Sequence, residues 1–152
     1  MDCDFQHEPS FIPKFIKMIQ EKTVDVVSGS RYLKQTKVRN NAPPERLAIN
    51  KKITALIIKY TQYQLTDAFC GFKAYKTDSL KGLELSEDGY GMPLQFWLQA
   101  AASGLRVQEI PITRIYQNLD RSFGDNLDDP KKRLKYYQTI ITREAEKWQL
   151  LA

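Results

Sequence analysis

Cysteine and histidine are scarce in this chain, and their scarcity argues against several classes of protein. The 152 residues include two cysteines and one histidine. Cys3 and Cys70 form no spaced cluster, so neither a disulfide framework nor a zinc site is indicated. Both thiols are expected to be reduced, as in a cytoplasmic protein. His7 is expected to have a surface or supporting role rather than to ligate a metal ion.

Long apolar runs are absent as well. No segment approaches the roughly 20 apolar residues that a membrane-spanning helix needs. The longer runs, such as "ALII" at 55–58, have the length of a helix that contributes to a core. Hydrophobic residues make up 42% and charged residues 27% of the chain, proportions that are ordinary for a folded protein and not for a disordered one. The length fits one domain.

The charge is unbalanced toward the positive side. The formal net charge is +5 and the sequence pI is about 9.1, so the expected partners are anionic: phosphates, nucleic acid or a lipid surface. The basic and aromatic residues do not cluster into a recognised nucleic-acid-binding motif. We therefore do not expect nucleic acid to be the partner.

The opening segment "MDCDFQHEP" contains an alternation of polar and apolar residues. In an extended chain Asp2, Asp4 and Gln6 would share one face, while Cys3 and Phe5 would share the other. Carboxylate and amide oxygens arranged in this way are a plausible ligand set for a divalent cation. A solvated acidic terminus is the alternative.

Apolar spacing and turn residues divide the rest of the chain into helices and strands. Helices are predicted over "PSFIPKFIKMIQEK", from about Glu45 to Gln64, near Asp78 to Gly82, over "MPLQFWLQAAASG", and from Pro130 to the C-terminus. Strands are predicted in "TVDVVSGSRY", "TDAFCGFKAYK" and "LRVQEIPITRIYQ", with an exposed loop from Leu33 to Glu45. This order predicts an α/β fold with crossover helices.

Four segments in a fixed order resemble a known family. "DCDFQH", "VSGSRY", "DAFCGFKAYK" and "GYGMPLQFWLQAAASGLRVQEIPI" are similar to the second half of family 2 glycosyltransferases, closest to the dolichol-phosphate mannosyltransferase and polyprenyl-phosphate glycosyltransferase branch. The resemblance covers residues 1–117, and residues 118–152 form a loop and the C-terminal helix. It implies a partial GT-A, Rossmann-like domain with a mixed, mostly parallel sheet and flanking helices.

The same resemblance implies a truncated domain. The N-terminal strands that bind the nucleotide in the family would be missing, so residues 1–152 are expected to be a single truncated glycosyltransferase domain. Such a domain would expose an unpaired sheet edge. We expect that edge to be a route to homo-oligomers.

The activity implied by the resemblance is transfer of a hexose from GDP-mannose or a UDP-hexose to a polyprenyl or dolichyl phosphate. The transfer would invert the sugar, with Mg²⁺ or Mn²⁺ held by Asp2, Asp4 and Gln6 as a Lewis acid. A phosphate acceptor is already an anion near neutral pH, so no strong general base is required. The Gln-x-x-Arg-Trp signature of processive synthases is absent, which favours transfer of one sugar. The alternatives are a non-catalytic module that binds anions or nucleic acid, and an inactive fragment of a glycosyltransferase.

Arginines and one aspartate match family positions around the substrates. Arg31 in "SGSRY" corresponds to an arginine that contacts phosphates, for which a guanidinium fork is suited. Arg46 in "PPERLAIN" would face the diphosphate or the lipid phosphate. Asp67 in "TDAFCGF" occupies the acceptor-side aspartate position, where it would orient the lipid phosphate or a metal ligand. The alternatives are ordinary surface arginines and a turn aspartate.

Departures from the family pattern occur in two places. Pro93 and Gln95 stand where relatives commonly carry Gln and Glu, so a carboxylate is missing. Near the end, Arg114 and the "LDRSFGD" segment replace a loop that closes on the phosphates, without its lysine, and Arg121 would take over the cationic role. The implied catalytic set is therefore Asp67, Arg114 and Arg121.

The last helix mixes cations into an amphipathic pattern, "KKRLKYYQTIITREAEKW". Two interpretations remain open: contact with a membrane surface or partner helix, and packing against the domain with a solvated basic face. The chain is accordingly expected in the cytoplasm, with peripheral contact at the cytoplasmic membrane face. Trp97 and Trp148 lie on apolar helical faces and are expected to be core residues rather than sugar platforms.

Overall fold

The computed structural model describes residues 6–21, 23–37, 42–115 and 122–150. In chain order the elements are α1 (Ile12–Glu21), β1 (Val26–Ser30), α2 (Pro44–Thr61), β2 (Lys73–Tyr75), α3 (Met92–Ala102), β3 (Val107–Pro111) and α4 (Pro130–Lys147). Short 3-10 helices lie at Pro9–Phe11, Thr77–Leu80 and Asp125–Asp128. Helix α2 stops before the predicted Gln64 because Gln62 has a φ of +59°, a left-handed conformation that ends helices.

The three described strands form a mixed sheet in the order β2-β1-β3. Strand β1 is central and runs parallel to β3, with Val26 opposite Val107. It runs antiparallel to β2, where Val26 is opposite Tyr75. The predicted α/β fold with a mixed sheet and flanking helices is confirmed. Association of copies through a sheet edge stays a prediction.

Helices cover both faces of the sheet. Because side chains alternate along a strand, Val26 and Val27 point to opposite faces and belong to different clusters. Val27 packs with Phe15 of α1 and Phe72 on one face. Val26 packs on the other face with buried residues of the three longer helices: Ile49, Ile53, Ile57, Leu94, Trp97, Leu98, Tyr137, Ile140 and Ile141.

The C-terminal helix α4 is part of this second layer. Pro130 occupies its first turn as predicted, and the Asp129 carboxylate caps it by accepting hydrogen bonds from the backbone N–H groups of Lys131 (2.8 Å) and Lys132 (3.3 Å). Its apolar face, which includes Tyr137, is buried against α2 and α3. Within the described ranges, no helix is both long enough and apolar enough to cross a membrane.

Candidate functional site

The site begins where the central strand ends. In a parallel sheet, ligands bind outside the carboxyl ends of the strands, and Arg31 is the first residue after β1. Its guanidinium forms a bidentate pair with Asp67: Nε donates to Oδ2 at 2.7 Å and Nη2 donates to Oδ1 at 2.9 Å. The backbone N–H of Arg31 also donates to Oδ2, at 3.2 Å. This geometry fixes both the plane and the direction of the guanidinium.

Asp67 is completely buried, and further donors surround its carboxylate. Asn50 Nδ2 donates to Oδ1 at 2.9 Å, and the backbone N–H of Phe69 donates to the same oxygen at 3.3 Å. Thr54 in turn donates to Asn50 Oδ1 at 2.9 Å. Burial alone would raise the pKa of Asp67, but the charge and hydrogen bonds of Arg31 and the hydrogen bond from Asn50 hold that pKa below its usual value. The carboxylate is therefore ionised at neutral pH.

A second carboxylate ties the turn that carries Asp67 to the sheet. Glu109 of β3 accepts hydrogen bonds from Thr66 N (2.8 Å), Thr66 Oγ1 (2.6 Å) and Asp67 N (3.1 Å). The hydroxyl of Thr66 also lies 2.6 Å from the hydroxyl of Ser30 at the end of β1. Burial and the charge of Asp67 raise the pKa of Glu109 against the lowering effect of these hydrogen bonds. The Asp67 turn is thus anchored to both parallel strands.

Arg31 lines a cavity of about 490 Å³. Four cationic side chains contribute to its described wall: Arg31, Arg46, Lys73 and Arg133. Neither Asp nor Glu is found among the described lining residues. The cavity is therefore suited to an anionic ligand.

Arg133 is the most buried of these cations, with 2% of its surface exposed. Its Nη1 donates to the backbone carbonyl of Leu127 at 2.7 Å, and its Nη2 forms an ion pair with Glu45 of α2. Burial lowers the pKa of Arg133. The ammonium group of Lys73 donates to the backbone carbonyl of Cys70. Both cations are thus held by groups of the fold.

Another part of the cavity wall is apolar. Tyr75 and Met92 line it, and 37% and 41% of their surfaces are exposed to solvent. The buried ring of Phe96 packs against Tyr75, with 5.3 Å between ring centroids. The cavity therefore combines cationic side chains with solvent-exposed apolar ones, a lining that suits an amphiphile with an anionic head.

The structure brings together several residues singled out from the sequence. Gln6, Arg31 and Arg46 all line the cavity, and Asp67 lies behind Arg31. Arg114 lies beside them: its Cζ is 5.6 Å from the ring centroid of Tyr32, and the Cζ of Arg31 is 5.7 Å from the same centroid. Their predicted catalytic and binding roles stay predictions.

Three predicted site residues, Asp2, Asp4 and Arg121, lie outside the described residues. Over the described ranges, no group of three or more His, Cys, Asp and Glu side chains is placed to hold a metal ion. The predicted cation site thus has one described member, Gln6, and it lines the cavity.

Several residues of the site were not identified from the sequence, among them Asn50, Glu109, Arg133 and Phe123, whose ring also lines the cavity. Arg133 carried a usable signal, because it precedes Tyr137, Ile140 and Ile141 on the buried stripe of α4. A charged residue on such a stripe must be paired, which marks it as unusual. Asn50 lies similarly on the buried face of α2.

The amide at position 95, where the family resemblance predicted a departure, has a structural explanation. Gln95 has 1% of its surface exposed, and its Oε1 accepts hydrogen bonds from the backbone N–H groups of Ser86 (2.8 Å) and Glu87 (3.0 Å). Its Nε2 donates to Glu144 Oε1 at 2.9 Å. A carboxylate at this position would place a second negative charge against Glu144, so the amide is required by the fold. Trp97 is fully buried and donates to the carbonyl of Ala68 at 2.8 Å, which confirms it as a core residue.

Comparisons with known proteins relate the chain to sugar-transferring enzymes. The model of the family described as "Glycosyl transferase family 2" matches residues 1–83. An undecaprenyl-phosphate mannosyltransferase of Micrococcus luteus is 30% identical over 125 residues, which are 80% of this chain and 50% of that protein. A dolichol-phosphate mannosyltransferase of Pyrococcus furiosus is 32% identical over 114 residues, 74% of this chain and 32% of that protein.

A further relative is an uncharacterized protein, MJ1222, of Methanocaldococcus jannaschii, which is 27% identical over 128 residues, 83% of this chain and 52% of that protein. The chain spans about half the length of this relative and of the Micrococcus luteus enzyme.

Proposed function

Because the chain belongs to glycosyl transferase family 2, we propose that it carries the acceptor side of an enzyme that transfers a hexose from a nucleotide-sugar to a polyprenyl phosphate. The observation that carries this proposal is the polarity of the cavity. A polyprenyl phosphate has a dianionic head and a long apolar tail. The cavity is lined by cationic side chains and by the exposed side chains of Tyr75 and Met92. Relatives named for undecaprenyl and dolichol phosphates support the same acceptor class.

The proposed reaction is a direct displacement. A phosphate oxygen of the acceptor attacks the anomeric carbon, the new carbon–oxygen bond forms, and the bond from that carbon to the nucleoside diphosphate breaks. The configuration at the anomeric carbon inverts. Because the acceptor oxygen is already ionised near neutral pH, no protein base has to remove a proton.

The residues of the chain then act by binding and orientation. Arg31 binds the acceptor phosphate, since a guanidinium fork matches phosphate oxygens. Asp67 orients Arg31, because it is buried and holds Nε and Nη2 at 2.7 and 2.9 Å. Arg46, which lines the same cavity, contributes a second positive charge. Arg114 remains a candidate for the same phosphates through its position beside Tyr32.

The proposal includes a divalent cation. Asp2, Asp4 and Gln6 would hold Mg²⁺ or Mn²⁺, which would neutralise the charge that develops on the leaving diphosphate. The described part of the chain is compatible with this set, because Gln6 offers an amide oxygen at the wall of the cavity that Arg31 also lines. Oxygen donors of this kind suit hard divalent cations.

Calorimetric titration of farnesyl phosphate into the 152-residue chain in detergent tests the acceptor. We expect clear binding of farnesyl phosphate and binding at least about tenfold weaker of farnesol, which lacks the charge. Arg31→Lys should weaken farnesyl phosphate binding by about tenfold, because a lysine keeps the charge but cannot make the bidentate contacts.

A matched control is available at the opposite end of the sheet. Arg106 forms the same bidentate pair with Asp25, at 2.8 and 2.9 Å, beyond the amino end of β1. Arg106→Lys should leave farnesyl phosphate affinity unchanged. Equal affinity for farnesyl phosphate and farnesol, or equal losses in the two variants, would contradict an acceptor site at Arg31.

Titration of GDP-mannose and UDP-glucose, with Mn²⁺ and with a chelator, tests the donor and the cation. We expect binding of one nucleotide-sugar that requires Mn²⁺ and that is reduced at least about tenfold in Asp4→Ala, since a carboxylate ligand is lost. Asp78→Ala, in which the exposed aspartate of a surface pair is removed, is the control. Binding that persists in the chelator at full strength would show that the cation has no part in it.

A further inference from the structure

Phe123 interacts with two of the cations of the cavity. The Cζ atom of Arg133 lies over its ring at 4.2 Å from the centroid, and the Cζ atom of Arg46 lies over it at 5.1 Å. The ring of Tyr90 meets Phe123 edge-on, with 5.0 Å between centroids and an interplanar angle of 68°. All four side chains line the cavity. Phe123 is therefore enclosed by two guanidinium groups and one aromatic ring.

The backbone that carries Phe123 is fixed by side-chain hydrogen bonds. Asp128 accepts from Phe123 N and from Ser122 Oγ, both at 2.6 Å. Ser122 Oγ also accepts from Gly124 N at 2.9 Å, and Gly124 has a φ of +85°, a conformation that favours glycine. Arg133 reaches the same segment through the carbonyl of Leu127. The position of the ring is thus set by the fold rather than by its own contacts alone.

The two arginines have different environments. Arg133 is buried, and its guanidinium is bound by Leu127 and Glu45, so it acts as part of the fold. Arg46 is only half-buried and lies in the first turn of α2. A positive charge there faces the positive end of the helix dipole, which is unfavourable without a compensating partner. The negative face of the Phe123 ring offers such compensation, in addition to the charge of Asp128, with which Arg46 interacts electrostatically.

We propose that Phe123 is a positioning residue, which holds the Arg46 guanidinium against its ring so that Arg46 meets the phosphate of an acceptor in the cavity. The inference rests on the proposed function. It adds Phe123 as a residue that affects ligand binding by positioning Arg46.

A double-mutant cycle on farnesyl phosphate affinity tests the inference. Phe123→Leu keeps an apolar side chain but removes the ring, and we expect it to weaken binding by about five- to tenfold. Phe123→Tyr keeps the ring and should restore affinity to within about twofold of wild type. In an Arg46→Ala background, Phe123→Leu should cause less than about a twofold further loss, because the group that it positions is gone.

The outcomes separate this inference from the proposed function. A wild-type chain without measurable farnesyl phosphate binding would overturn both the proposed function and the role of Phe123. Normal wild-type binding with an unchanged Phe123→Leu variant would overturn only the role of Phe123. An equal loss with and without Arg46 would also overturn it, because that result shows a general effect on the loop rather than an effect through Arg46. Melting temperatures of all variants establish that each one is folded.

Discussion

Replacing Asp67 with asparagine is expected to destabilise the folded chain by about 3–5 kcal/mol and to weaken farnesyl phosphate binding at the same time. Breaking a buried ion pair leaves its partner charge unpaired, and penalties of this size are typical. In Asp67→Asn one carboxylate oxygen becomes an NH₂ group. Since Arg31 donates to both oxygens and Asn50 to one of them, a donor would then face a donor.

Urea unfolding followed by circular dichroism gives the stability difference, and Asp78→Asn is the control. Asp78 also forms an ion pair, with Lys81 at 2.6 Å, but its side chain is 88% exposed. Exposed pairs contribute little, so the Asp78→Asn variant should unfold at nearly the wild-type urea concentration. If Asp67→Asn unfolds together with wild type, the Arg31–Asp67 pair is not the stabilising element that its geometry indicates.

The effects of Asp67→Asn on acceptor affinity and on transfer distinguish an orienting role of Asp67 from a catalytic one. Asp67 does not line the cavity, so a loss of affinity in its variant acts through the lining residues that it holds, Arg31 and Asn50. A direct catalytic role for Asp67, as the family resemblance implies, would instead reduce transfer while leaving acceptor affinity intact. The comparison of affinity and transfer in one variant therefore decides between the two roles.

The helices and strands were predictable because their signals are local. The apolar spacing of α1 and α3 and the placement of Pro130 at the start of α4 each depend on a few neighbouring residues. The pattern of a short strand such as β2 does not specify its direction relative to its neighbours. Its antiparallel pairing with β1 is set by tertiary contacts across the sheet.

The site was predictable only in part, because its pairs join distant parts of the chain. Arg31 and Asp67 were each recognised by motif, but nothing local shows that they bind each other across 36 positions. Periodicity identifies which residues of α4 face inward, but it does not identify the partner of a buried charge such as Arg133. That partner is Glu45, at the start of α2.

Glu144, which lies away from the cavity, is another buried charge whose partners periodicity does not identify. It lies on the buried face of α4 with 2% of its surface exposed, and four side chains donate to it. Gln95 (2.9 Å) and Arg143 Nη2 (3.0 Å) donate to Oε1. Gln99 (3.1 Å) and Trp148 (3.2 Å) donate to Oε2. The orientation of both amides is fixed, since their oxygens accept hydrogen bonds from the backbone N–H groups of residues 84, 86 and 87. Glu144 must therefore act as an acceptor at both oxygens.

Glu144→Gln is expected to destabilise the chain by about 2–3 kcal/mol. The substitution changes the side chain by one group only. Its NH₂ must face either the donors of Gln95 and Arg143 or those of Gln99 and Trp148, which leaves a buried donor unsatisfied. Glu146→Gln, on the exposed face of the same helix, should have little effect. Urea unfolding at neutral pH measures both, and equal stabilities would show that the buried network tolerates a donor at this position.

The pH dependence of stability gives an independent test of Glu144. Burial alone would raise its pKa, but the hydrogen bonds from Gln99, Gln95, Arg143 and Trp148 hold that pKa below the ordinary value of 4.5. The folded chain therefore favours the ionised carboxylate. The stabilisation of the folded chain by the ionised Glu144 carboxylate is complete above pH 4.5. It is lost as the pH falls through the lower pKa that Glu144 has in the folded state. The difference in stability between wild type and Glu144→Gln should accordingly narrow on acidification below pH 4.5, whereas a difference that stayed constant would mean that Glu144 does not titrate as an ionised acceptor.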